Sequence, residues 1–273
     1  MARSRVQKTE QAIDSTKKAV PVNQAFEQAL KEQKLAEQAQ SETAIAVNAG
    51  ETAIADSAFY KKLELKELTL PASVQKLGRH CIDHCYKLTK VTVDKDNPYL
   101  KSVDGVIYSK DGSTLLLCTP SKKGEFVVPA TVKTIAPAAF STCKKITSIV
   151  LPKGIEEIPD EAFQGCWGLE KINLPEGLKR IGKRAFDGTI IQKINVPTTM
   201  EMIDDGAFIN TSIVEVNLRV TEPFKLGEEV FREIHVTRLN VPEAGLKAFK
   251  KHPKWGKFGR ITPTHSYWTV DLP

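Results

Sequence analysis

Apolar residues along this chain recur in one fixed order. A run of the form LxxIxL closes on proline, apolar residues follow three and six positions later, and Ala-Phe and then Cys or Thr complete the unit. The clearest copies are ITSIVLP ending at Pro152, LEKINLP at Pro175 and IQKINVP at Pro197, spaced by 23 and 22 residues. Weaker copies keep the register: LKELTLP at Pro71, LTKVTVD at Asp94, FVVP at Pro129, IVEVNLR at Arg219 and VTRLNVP at Pro242, with a degenerate TAIAV over residues 43–47. That makes nine strand slots. A column of Phe59, Ile82, Phe140, Phe163, Phe186, Phe208 and Phe231 follows at five residues behind Ile54, Leu77, Ile135, Ile158, Ile181, Ile203 and Leu226.

A period in this range predicts stacked turns, because one turn cannot bury its apolar face alone and needs like side chains above and below it. Within LxxIxLP the first, fourth and sixth residues point inward, and strand alternation sends the third and fifth outward. Proline ends the strand where a ladder N–H is no longer needed. The chain is then expected to return with a short helical turn at Ala-Phe. The interval from Leu77 to Ile135 exceeds one period by 35 residues. Inside it VIYSKDGSTLLLC has two β-rich runs around Asp111-Gly112, a hairpin signal, and is expected to form a flap over one turn at about residues 94–125.

The LP…I…I…AF…C string, the mid-chain loop NPYLKSVDGVIYSKDGSTLLLCTP and the closing VPEAGLKAFKKHPKWGKF together resemble the BspA-like bacterial leucine-rich repeat family over roughly residues 43–258. The resemblance implies an α/β fold: a right-handed leucine-rich-repeat solenoid with a parallel β-sheet on its concave face. It also implies a protein displayed on a bacterial surface that binds proteins or cells and carries no catalytic centre. Asp94 and Arg219 depart from it by replacing the usual proline.

Residues 1–42 differ in composition, being rich in Gln, Glu, Lys and Ala and broken at Pro21, and are expected to form an N-terminal helical segment that caps the first turn or tethers the chain. Residues 259–273 are expected to be a C-terminal cap or tail, with Trp255 and Trp268 covering the last Phe layer. A net charge of +6 makes the surface mildly basic. No apolar run approaches the roughly 20 residues that cross a bilayer. The first thirty residues lack a secretory apolar stretch, so either the protein stays inside the cell or the chain is trimmed.

Several strings imitate chemistry. His80, Cys81, His84 and Cys85 lie within six residues, yet Cys85 shares a core slot with Cys143, Cys166, Thr189 and Thr211, and the spacing fits no zinc frame. Gly177 to Lys183 reads GxxxxGK, but Arg184 follows where a phosphate loop needs Ser or Thr. No catalytic residue, metal ligand or cofactor is expected. The basic run Lys247, Lys250, Lys251, His252, Lys254, Lys257 and Arg260 reads as a solvated cap rather than a nucleic-acid site.

The outward columns hold the candidate binding face: Lys171, Lys193, Glu215 and Arg238 at the third position, and Asn173, Asn195, Asn217 and Asn240 at the fifth. Stacked amides stiffen a sheet by bonding to one another, and a flat polar wall suits a protein or glycan better than a small molecule that needs a pocket. Two functions follow: a surface or secreted binding module, or an intracellular scaffold assembling through residues 1–42.

Overall fold

The computed structural model describes residues 31, 42–232 and 238–264. The chain divides into two units, Met1–Glu42 and Thr43–Pro273. The first lies almost wholly outside the described residues, and so do the expected helices in it. The second is a parallel-sheet solenoid of about nine turns.

Two columns of short strands build it. The first column contains Ala44–Ala46, Glu67–Leu70, Lys90–Val93, Lys123–Val127, Lys145–Val150, Lys171–Ile172, Lys193–Val196, Glu215–Leu218 and Arg238–Val241, the nine expected slots. A tenth strand, Ile261–Pro263, pairs in parallel with Arg238–Val241. It falls in a stretch assigned from sequence to the tail, because it carries no LxxIxLP signature. Register follows the repeat: Leu68 pairs with Val91, Ile194 with Val216, and Val216 with Leu239. The second column is made of two-residue strands, with Ile158, Ile181, Ile203 and Leu226 side by side.

The return past Ala-Phe is not helical. Among the described residues of this unit the one α-helix is Leu246–Lys251, so the α part of the expected α/β class shrinks to the C-terminal end. The reason is the backbone at the Phe slot. The residue two before it and the residue two after it both take positive φ, as at Ala138 (57°) and Thr142 (59°) around Phe140, and a left-handed residue interrupts a right-handed helix. Successive tight turns result. Their N–H groups alternate between a carbonyl three residues back and one in the next turn, as when Ser141 donates to Ala138 and Phe140 donates to Ala162.

The core is a stack of rings. Phe140, Phe163, Phe186, Phe208 and Phe231 lie with centroids 5.2, 5.3, 5.1 and 5.6 Å apart, and the last two pairs are within 5° of parallel. Trp255, fully buried, closes the C-terminal end against Phe224, Phe249 and Phe258. Its indole N–H donates to the Phe224 carbonyl at 3.1 Å. Trp268 lies outside the described residues.

The long interval holds three strands, Leu100–Val103, Val106–Ser109 and Thr114–Cys118, each antiparallel to the next. The last pairs in parallel with Thr134–Ile135, placing Leu115 beside Ile135 in the second column. Leu100, Ile107 and Leu117 pack into the N-terminal core cluster, whereas Val106, Tyr108, Leu115 and Cys118 pack into the C-terminal one. These strands therefore stand between two cores and are apolar on both faces, where a flap would cover one. Phe126 fills the ring position above Phe140, at 5.5 Å.

Candidate binding surface

On the first-column face the amides form a directed chain. Asn217 Nδ2 donates to Asn195 Oδ1 at 2.8 Å, Asn240 Nδ2 donates to Asn217 Oδ1 at 2.6 Å, and Thr262 Oγ1 donates to Asn240 Oδ1 at 2.7 Å. Thr262 comes from the tenth strand, so the repeat pattern alone did not reveal it. Asn217 and Asn240 are buried by this chain. Asn217 also donates to Glu215 Oε1 at 3.1 Å, which uses its remaining amide hydrogen.

Asn173 is not part of the chain, although it occupies the same sequence slot. Its side chain folds back on Leu151, accepting from the backbone N–H at 2.6 Å and donating to the carbonyl at 3.0 Å. The amide thereby imitates a strand partner. Among the described residues no backbone pairing joins Lys171–Ile172 to Lys193–Val196, and the sheet is interrupted there. Because the amide chain points toward lower residue numbers, it ends at this gap on Asn195, which is exposed and whose Nδ2 has no acceptor among the described residues.

The charged column is largely self-neutralising. Glu215 lies between Lys193 Nζ at 3.1 Å and the Arg238 guanidinium at 3.1 Å. Burial pushes its carboxyl up, yet the Asn217 amide and these two cations hold it below its ordinary value. Glu67 and Lys90 pair in the same way at 3.1 Å. Lys171 is exposed and makes no ion pair among the described residues. The candidate residues thus separate into a saturated group (Glu215, Asn217, Asn240, with Lys193 and Arg238 clamping Glu215) and an open pair, Lys171 and Asn195, at the sheet interruption.

A second polar cluster joins the two cores. On the turn side Cys118 of the third inserted strand lies against the Phe140 turn, its N–H donating to the Ala139 carbonyl at 2.8 Å, and side chains of the Ile82 and Phe140 turns meet around it. Ser141 Oγ donates to Asp83 Oδ2 at 2.7 Å, and the His84 backbone N–H donates to Thr142 Oγ1 at 3.1 Å, both across 58 residues. His80 reaches one layer further: Nδ1 faces Asp83 Oδ2 at 2.9 Å and Nε2 faces Glu161 Oε2 at 3.0 Å. His80, Ala138 and Glu161 share one slot of the repeat, and the small Ala138 leaves the imidazole room to span it. Aligning Ile82 directly with Phe140 would have exposed these contacts in the sequence.

This cluster is not a nucleophilic triad. Ser141 is buried and gives its proton to Asp83, while both ring nitrogens of His80 face carboxylates, so no base is left to activate the hydroxyl. The hydrogen bond to Asp83, reinforced by the charges of Asp83 and Glu161 against the opposing effect of burial, raises His80 to about 9. An imidazole whose folded value lies above its ordinary 6.5 stabilises the fold fully below pH 6.5, and that contribution is lost as pH rises through about 9. His80→Gln is expected to remove a pH-dependent contribution on the order of 2 kcal/mol, read as a smaller difference between urea midpoints at pH 6 and pH 9.5 than in the parent protein.

The two cysteines of the zinc-like string are buried in the core. Cys85 Sγ donates to the Phe59 carbonyl at 3.0 Å, and burial pushes the Cys81 and Cys85 thiols up to about 12 and about 11. Among the described residues no three His, Cys, Asp or Glu side chains converge on a metal position. The phosphate-loop imitation is a repeat strand: Arg180–Ile181 pairs on both sides. Gly182 lies so close to the turn before it that a Cβ would meet the Pro159 carbonyl carbon at 2.7 Å. Of the basic run, Lys254 Nζ caps the Leu226 and Gly227 carbonyls at 2.8 and 3.2 Å and pairs with Glu228.

Similarity to known proteins agrees with this architecture. The chain superposes on the pneumococcal vaccine antigen PcpA with a TM-score of 0.55 at 22% identity, covering 77% of this chain and 57% of that one. A leucine-rich cell surface protein from Faecalibacterium prausnitzii superposes with a TM-score of 0.47 at 20% identity, over 64% of this chain and 59% of that one. The chain thus spans less than two thirds of either. No curated protein sequence matches it. No helix among the described residues is long and apolar enough to cross a membrane. The model of the BspA-type leucine-rich repeat region matches six copies over residues 35–104 and 120–237, and the chain belongs to that family.

Proposed function

We propose that this solenoid is a non-catalytic binding module of a protein displayed on, or released from, a bacterial surface, and that it engages a protein or glycan through its first-column face. In this reading the face is the concave wall of a right-handed solenoid, and the strands of the long interval are an insertion that stiffens it. The supporting observation is the open pair at the sheet interruption: the Lys171 ammonium and the unspent Asn195 amide stand beside the saturated group of Glu215, Asn217 and Asn240. A rigid surface with a few free donors costs little conformational entropy to dock on. The fitting ligand is an extended chain that presents carboxylates or carbonyls.

The test is a glycan array and a panel of immobilised extracellular proteins, probed with the parent chain and with Lys171→Glu/Asn195→Leu. Loss of the parent's best signal at unchanged melting temperature supports the reading. A signal that survives the double substitution places binding elsewhere. Lys193 and Arg238 are poorer probes, because reversing either charge also disturbs Glu215, an effect of up to about 1 kcal/mol.

A further inference from the structure

Half of the exposed large apolar side chains among the described residues fall on one edge of the solenoid: Tyr60, Leu63, Trp167 and Ile190 are 44, 53, 55 and 39% exposed. Contiguous exposed apolar surface marks an interaction site. These side chains lie between the Phe slot and the next first-column strand, and Leu63, Tyr86, Lys144, Trp167 and Ile190 each stand four residues after their own turn's Phe slot. They are therefore stacked one per turn. Across the inserted segment the edge is joined by Lys144, whose Nζ lies 3.5 Å from the Tyr86 ring centroid.

The rings are held rather than free. Tyr60 meets His84 edge-on at 5.2 Å, and His84 meets Tyr86 at 5.6 Å. The His84 ring, kept below its ordinary pKa first by burial, shares a hydrogen bond of 2.7 Å between its Nδ1 and the Tyr86 hydroxyl. Trp167 rests its indole edge on Gly188, where a Cβ would come within 3.3 Å of Nε1. Fixed aromatic faces need little ordering when a partner lies on them. Across the same segments, residues 61–64, 84–87, 142–145, 165–168 and 188–190, there are five lysines against one glutamate, and both oxygens of that Glu64 are taken by Lys87 at 2.7 Å. Lys61 Nζ lies 5.1 Å from the Tyr60 ring centroid, and Lys61 and Lys145 are both exposed.

We infer that this aromatic and basic edge is a second binding surface, separate from the first-column face, and that its ligand is an anionic polysaccharide. The exposed rings of this edge, Tyr60 and Trp167, offer stacking faces to pyranose units of one chain, and the ammonium groups between them answer its carboxylates. An acidic peptide satisfies the lysines but leaves the aromatic faces without matching rings.

Calorimetric titration of the full chain with oligogalacturonate tests the proposal, with a neutral maltooligosaccharide, polyglutamate and phosphatidylglycerol vesicles as comparison probes. Galacturonate is expected to bind best. Lys144→Glu/Lys145→Glu and Trp167→Ala are each expected to weaken it by at least about tenfold, the lysine pair also reducing its salt dependence. Melting temperatures should hold, since Lys145 and Trp167 are exposed, and Lys171→Glu/Asn195→Leu should leave galacturonate binding unchanged even if the first-column proposal fails. Absence of galacturonate binding by the parent chain overturns the inference, as does equal affinity in the edge variants. Equal or tighter binding of polyglutamate or vesicles overturns the polysaccharide assignment.

Discussion

Replacing Phe163 by alanine is expected to lower the unfolding free energy by about 3–5 kcal/mol, the cost of removing a buried aromatic ring and leaving a cavity. The ring is fully buried, with Phe140 at 5.2 Å on one side and Phe186 at 5.3 Å on the other. Those neighbours cannot close the space. Phe140 is held by Phe126 and its own turn, and Phe186 lies within 2° of parallel to Phe208 at 5.1 Å. In a stack where each turn touches only its neighbours, an interior layer also carries the coupling between the turns on either side. Chemical denaturation of Phe163→Ala should therefore give an earlier and broader transition than the parent. Phe59→Ala is the control, since that ring is only half-buried at the N-terminal end of the column. Equal costs at the two positions would mean that the ring stack contributes no more in its middle than at its end.

Asn97→Ala is expected to cost about 2–4 kcal/mol although it removes no apolar surface. Asn97 is fully buried, and its amide makes four hydrogen bonds: Nδ2 donates to the carbonyls of Pro71 and Val74 at 3.0 and 2.8 Å, and Oδ1 accepts from the N–H groups of Tyr99 and Leu100 at 2.8 Å each. It joins the end of one repeat turn to the start of the first inserted strand. Alanine leaves four backbone groups without their partner, two of them on a segment that lies between the two cores. Asn97→Asp is a sharper probe. It keeps the acceptor but at neutral pH sets a carboxylate against two carbonyls, so its midpoint should recover toward the parent's in acid, where protonation restores a donor. Alanine at this site should show no such recovery.

The cluster around His80 and the amide chain around Asn217 illustrate how the repeat conveys position but not pairing. Both sets could be placed in columns from sequence, because slot number sets which side chains are stacked. Which stacked neighbours then bond depends on side-chain direction and on which turns are adjacent. Asn173 and Asn195 occupy equivalent slots, yet one amide turns to Leu151 and the other ends the chain. Lys193 and Arg238 look like free cations in the sequence and instead clamp Glu215. His80 has no partner assigned from the sequence and in the structure spans to Glu161, one turn beyond Phe140's.

By itself the sequence determined that this chain is a stacked solenoid, which slots face the core and which face out, since a recurring apolar period has no other way to bury its side chains. It determined the family as well, through the same period and the strings attached to it. The tertiary structure alone decided where the 35 extra residues go, that Asp83 of the Ile82 turn meets Ser141 of the Phe140 turn, and that Ile261–Pro263 extends the sheet. These are contacts between segments that do not share the repeat's signature. Their placement follows from which surfaces remain to be covered once the periodic turns have stacked, and that remainder exists only in three dimensions.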